Sequence, residues 1–218
     1  MQSLSEQICL HFQTLIDLRL EQVNSMVSDV RPAAQHPDIS RAQVMEELSE
    51  ISRTRGFSQL GLLGDDGQFE IIYGDKISLE DPDPFIASMS SGNSKAAVGT
   101  DTTGNRLVLM GVPCQYKMGN GEPALALVAT VPTEYITKTL SLEPNESKVY
   151  SFIIRKDGSF VIRTSNAYRN SYFDRARNMY EDVNGKSVEE YISELTAAME
   201  QGVSYSTEFT VDGETQCM

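Results

Sequence analysis

The chain has no tryptophan, two histidines, three cysteines and no apolar run long enough to cross a bilayer. Each shortage closes a class of function. Cys9, Cys114 and Cys217 are far apart and form no Cys-x-x-Cys pair, so they build neither a structural zinc site nor a disulfide framework. His11 and His36 have no cysteine or acidic cluster beside them, which removes the usual signs of a metal or general-base site. No metal and no cofactor is expected. Cationic residues are also scarce. With 18 Lys and Arg against 31 Asp and Glu, the net charge of -13 repels phosphate backbones and excludes nucleic acid as a partner.

Catalytic signatures are missing too. The sequence contains no Gly-x-Ser-x-Gly elbow, no phosphate loop ending in Gly-Lys-Ser/Thr, no His-Glu-x-x-His and no Gly-x-Gly-x-x-Gly after a strand. Gly119-Asn120-Gly121 comes nearest, but it separates two strand-like runs instead of opening a helix. The chain is expected not to be an enzyme. Its first residues lack the basic start and continuous apolar stretch of a signal peptide, and residues 124–131, among the longest apolar runs, fall far short of the ~20 residues of a membrane helix.

What is present is a soluble, globular composition, 40% apolar and 22% charged over 218 residues, enough for two cores of modest size. Residues 4–30 set Leu4, Ile8, Phe12, Leu15, Ile16, Val23, Met26, Val27 and Val30 at steps that trace one helical stripe. At ~1.5 Å per residue such a helix reaches about 40 Å, either a spine beside two stacked modules or a long core helix. Arg31-Pro32 is expected to stop it, and Asp38 or Ser40 to cap a second helix that ends at Gly56.

The period then changes to that of strands. Apolar runs flank Asp66-Gly67, a hairpin signal, and the same pattern returns around Asp157-Gly158. Between them come an insert opened by Asp81-Pro82-Asp83-Pro84, a brief strand over 96–99, two long strands over 106–117 and 122–131 joined at Met118-Gly119-Asn120-Gly121, and a helix from Thr133 ended by Pro144. After the second hairpin, helical segments occupy 166–202 with a break at Asn184-Gly185; a strand over 205–211, the turn Asp212-Gly213 and a returning strand follow. The second set is two strands short of the first, as in a piece of a longer polypeptide.

The leading helix, the two Asp-Gly hairpins and the 106–131 strand pair resemble, together and over nearly the whole chain, the double Cache family of extracytoplasmic sensors. The implied fold is α+β: a long N-terminal helix followed by two PAS-like antiparallel-sheet modules in series, the second incomplete. The expected divisions are 1–56 for the helical spine and second helix, 57–142 for the membrane-distal module and 143–218 for the membrane-proximal one. The resemblance implies a parent anchored in the membrane on both sides, with a histidine kinase, diguanylate cyclase or chemoreceptor output and a small-molecule ligand in the first module. Family members that bind amino acids carry Arg-x-Trp-Tyr in the insert; here the insert reads Phe-Ile-Ala-Ser-Met-Ser-Ser-Gly-Asn-Ser, so that ligand class does not carry over.

Candidate ligand residues are Tyr73 and Asp75 after the first hairpin, Asp101 and Arg106 at the entry to the long strand, and Tyr116 at its far end. Arg106 suits a carboxylate and Asp101 an amine, although both also read as solvated turn residues. Arg169, Arg175 and Arg177, interspersed with Asp174, Glu181 and Asp182, read as surface ion pairs. Leu4, Ile8, Phe12 and Leu15 offer a seam for a homodimer. The competing reading is a cytoplasmic PAS-like interaction module without a small-molecule ligand.

Overall fold

The computed structural model describes residues 4–140, 152–163 and 171–218, and the chain divides into two compact units, Met1–Ile136 and Thr137–Met218. The sequence-predicted start of the second hairpin (149–151), the Pro144 stop and Arg169 lie outside the described residues. Helix α1, Leu4–Gln35, buries Ile16, Val23, Met26, Val27 and Val30 along the predicted stripe. It runs through Pro32 instead of stopping there. Proline's fixed φ is itself helical and its loss is one backbone bond, while Val27 and Val30, at most 2% exposed, hold the segment against the sheet. Helix α2, Arg41–Thr54, begins at Ser40, whose hydroxyl accepts the Gln43 N–H while the Gln43 side chain accepts the Ser40 N–H, a capping box.

The first unit then lays down β1 (Gln59–Leu63), β2 (Phe69–Tyr73), β3 (Ser78–Leu79), α3 (Pro82–Ser90), β4 (Lys95–Thr100), β5 (Arg106–Pro113) and β6 (Ala126–Pro132), and α4 (Thr133–Thr139) begins in it. Its sheet is antiparallel in the order β2-β1-β6-β5-β4-β3, with six strands where the PAS-like expectation has five. The extra strand, β3, is two residues long and gives no periodic signal. β5 and β6 are shorter than the predicted strands because Pro113 and Pro123 cannot donate to the ladder; beyond them the pairing goes on irregularly, with the Ala124 N–H on the Tyr116 carbonyl and the Met118 N–H on the Glu122 carbonyl, toward the tip at Gly121.

The repeated Asp-Gly pairs close the same turn twice. Gly67 donates to the Gly64 carbonyl and Gly64 to the Gln68 carbonyl, while Asp66 Oδ1 accepts the Gln68 N–H at 2.9 Å. Arg155, Asp157, Gly158 and Ser159 repeat these bonds, and Gly67 and Gly158 share a left-handed φ of 76° and 80°. Asp212-Gly213 is different, because both residues have positive φ, 53° and 74°, as a two-residue hairpin requires.

In the second unit β7 (Phe152–Ile154) pairs with β8 (Phe160–Arg163), and β9 (Glu208–Val211) with β10 (Glu214–Cys217). Between them the predicted helical stretch resolves into α5 (Tyr172–Met179) and α6 (Val188–Gln201), parted by the Asn184-Gly185 turn. Tyr172 lies at the centre of this core, its hydroxyl 2.6 Å from that of Tyr191 and 2.9 Å from that of Tyr180, so three phenols satisfy one another out of water.

Candidate functional site

Strand alternation divides the first unit's sheet into two faces. Leu60, Leu62, Val108, Met110, Val112, Leu127, Ala129 and Val131 share one face by register, and α1 packs on β4, β5 and β6. The opposite face carries Leu63, Leu107, Leu109, Ala126 and Val128, covered by Ile77, Phe85 and Met89 from the insert between β2 and β4. Phe85 and Met89 are 1% and 2% exposed. Gly111 makes this seat: a methyl on its Cα would lie 2.3 Å from Phe85 Cζ and 3.1 Å from Met89 Sδ.

Within β1, β4, β5 and β6, the register leaves three polar side chains on the insert-covered face: Gln59, Lys95 and Thr130. Lys95 Nζ donates to the Pro84 carbonyl at 3.1 Å. Gln59 and Thr130, 5% and 0% exposed, face each other across β1 and β6, and the Thr130 hydroxyl donates to Gln59 Oε1 at 3.2 Å. The Ser58 hydroxyl lies 3.0 Å from that of Thr130 and 3.1 Å from the Thr130 carbonyl. These contacts tie the start of β1 to β6. Sequence reasoning missed Gln59; the available signal was a glutamine beginning an otherwise apolar strand, Gln-Leu-Gly-Leu-Leu.

The five sequence candidates do not converge on this face. Tyr73 pairs with Leu60, and its hydroxyl donates to the Phe57 carbonyl at 3.1 Å and meets the Ser52 hydroxyl of α2 at 2.8 Å. Burial raises its pKa, against the Ser52 bond and nearby Arg53, whose guanidinium lies 4.6 Å over the ring. Asp75 is exposed in the loop after β2. Asp101 folds its own turn: Oδ1 accepts from the Thr103 hydroxyl and from the Thr103 and Asn105 N–H groups, and Oδ2 from the Asn105 amide. These bonds, the Thr103 hydroxyl first, hold its carboxyl down to about 2. Arg106 grips Glu80 in two-pronged fashion, Nε donating to Oε1 at 3.1 Å and Nη2 to Oε2 at 3.0 Å. Tyr116, 4% exposed, donates to the Val27 carbonyl of α1; burial pushes its phenol far above the usual value and the neighbouring Cys114 thiol up to about 11. Among the described residues no group of His, Cys, Asp and Glu can hold a metal ion, and no helix is long and apolar enough to cross a membrane.

No protein-family model and no curated protein sequence matches the chain. Solved structures do. The ligand-binding domain of the Pseudomonas aeruginosa PAO1 amino acid chemoreceptor PctB, in complex with L-Gln, is 12% identical with a TM-score of 0.63, over 98% of this chain and 79% of that one. That of the Pseudomonas fluorescens chemoreceptor CtaA, with L-alanine, is 19% identical with a TM-score of 0.58, over 97% and 84%. That of Campylobacter jejuni Tlp3, with L-norvaline, is 10% identical with a TM-score of 0.55, over 97% and 82%. The fold is thus that of bacterial chemoreceptor ligand-binding domains, as the double Cache resemblance implied, and these neighbours are ligand-binding rather than catalytic domains.

Proposed function

We propose that the chain is the extracytoplasmic small-molecule-sensing region of a transmembrane signalling protein, with its ligand under the insert of the first unit. The observation that carries this reading is the sheet face enclosed by Ile77, Phe85 and Met89, in a fold shared with chemoreceptor domains that bind small molecules. The opposite face of the same strands meets α1, so a ligand that repacks the sheet biases the helix. Coupling is then a population shift, limited by the ligand's preference for one arrangement. The output is a chemoreceptor signalling region, a histidine kinase or a diguanylate cyclase beyond these residues.

A homodimer fits the same scheme. Leu10 and Leu18 on α1 are 56% and 55% exposed, and Ile8, Phe12 and Leu15 are each only partly buried, apolar surface that a second α1 can cover. A thermal-shift screen with amino acids, γ-aminobutyrate, small carboxylates, amines, purines and sugars tests sensing directly. A compound at ~100 times its Kd stabilises the fold by about 2.7 kcal/mol. If no compound shifts the melt while the chain dimerises through α1, the protein-interaction reading replaces it.

A further inference from the structure

We infer that the second unit accepts one more strand, a continuation of β10 that returns between β10 and β7 and pairs antiparallel with both. The two units build the same ladder from different sequences. In the first, the Glu80 N–H donates to the Val98 carbonyl, and β4 and β5 pair Gly99 with Leu107 and Lys95 with Gly111. In the second, the Glu181 N–H donates to the Thr210 carbonyl, β9 and β10 pair Val211 with Glu214, and Thr207 and Met218 exchange both backbone bonds, at 3.1 and 2.9 Å. Val211 thus has the place of Gly99, and Met218 that of Gly111.

The Asp-Gly hairpins give the other half of the match. Counted from the shared turn at Asp66 and Asp157, Phe152 has the place of Gly61 and Ile154 that of Leu63. In the first unit Gly61 and Gly111 lie on either side of Val128, because β6 is paired with β1 and β5 at once. In the second, no strand stands in that place among the described residues: β7 pairs with β8 and β10 with β9 alone. Edges so left present a row of backbone donors and acceptors to an incoming strand.

Side chains show that the two edges belong to one sheet. The Phe152 ring of β7 lies 4.8 Å from that of Tyr172, and the Tyr172 hydroxyl donates to the sulfur of Met218, just past β10, at 3.1 Å. Both edges reach one buried tyrosine. That fits a separation of two strand spacings, about 9.6 Å, with room for a single strand.

The occupant is the polypeptide's own continuation rather than a second chain. β5 runs on from Gly111 through Val112 and Pro113 and returns as β6, and strands consecutive in sequence usually lie side by side. Its place sets its chemistry. The face it completes is lined by Phe160, Tyr172, Phe209 and Val211, so the strand is a short run of apolar, β-forming residues like Ala126–Pro132.

To test this, the full chain is extended after Met218 by a copy of its own residues 112–132, which supplies the end of β5, the hairpin and β6. Backbone amide exchange is then followed at residues 152–154 and 215–218. The expected result is exchange slowed about tenfold or more at the outward-facing amides of both edges, relative to the unextended chain. That slowing should vanish when the copy carries proline in place of the residue that matches Val128. Where the extended chain fails to fold, the same amides are read in the unextended chain with a peptide of residues 124–132 added, and the same outcomes decide. Slowing at β10 alone means a hairpin without a bridge and overturns the inference, as does no slowing at either edge. Slowing at both edges of the unextended chain that grows with protein concentration gives the place to a second copy and overturns the assignment to the continuation. None of these outcomes touches the sensing reading, which concerns the first unit.

Discussion

The Tyr116 hydroxyl donates to the main-chain carbonyl of Val27 at 3.1 Å, fastening the segment after β5 to the middle of α1. The phenol is buried and holds its proton throughout the working pH range, so this link does not titrate away. Tyr116→Phe keeps the ring and removes one neutral bond. It should cost about 0.5–1.5 kcal/mol, read as a lower denaturant midpoint with an unchanged slope.

Arg19 is 7% exposed, lies 5.3 Å over the Phe57 ring and 4.6 Å over that of Tyr135, and donates to the Arg55 carbonyl at 2.8 Å. It joins α1 to the end of α2 and to α4. Arg19→Met preserves the stem and strands the carbonyl, so chemical denaturation should show a loss of about 1–3 kcal/mol. Arg19→Lys should recover only part of this, because a compact ammonium cannot lie flat on both rings. Full recovery would mean that charge, not shape, matters there.

Gly111→Ala drives a methyl into Phe85 and should destabilise by about 1–3 kcal/mol. Phe85→Leu in the same protein should return part of that loss. A double-mutant cycle measures the coupling, and additive effects would place the strain elsewhere.

Asp101 has its carboxyl held to about 2, below the ~3.9 of an unfolded chain. A lowered folded value contributes stability above the unfolded value that is lost as pH falls through the folded one. The difference in melting temperature between wild type and Asp101→Ala should therefore be constant above about pH 5 and shrink toward pH 2. A difference that stays level across that window would show that the turn, not the charge, is responsible.

The two Asp-Gly hairpins offer a matched comparison. Both glycines have left-handed φ, so alanine strains each by about 1–2 kcal/mol. An added methyl at Gly158 also meets the Phe173 ring at 2.6 Å, whereas at Gly67 it meets only the tip of Ile86 at 3.1 Å. Gly158→Ala should thus lower the melting transition more than Gly67→Ala.

Local chemistry wrote much of this fold into the sequence. The 3.6-residue stripe of α1, the capping box at Ser40, the repeated Asp-Gly turns and the return of the β9-β10 hairpin follow from interactions within a few residues, which any reader of the chain can apply. Where the structure departs from these local signals, long-range packing decides: Val27 and Val30 carry α1 past Pro32, and β3 exists because β4 pairs with it. The candidate site was the least legible part. Arg106 and Asp101 look like ligand groups until Glu80, Thr103 and Asn105 close around them, and Gln59 looks ordinary until register sets it beside Thr130 under the insert. Sequence determines which groups a chain owns and how each turn is made. Which face each group meets, and whether its hydrogen bonds are already spent, is fixed only when strands distant in sequence come into register.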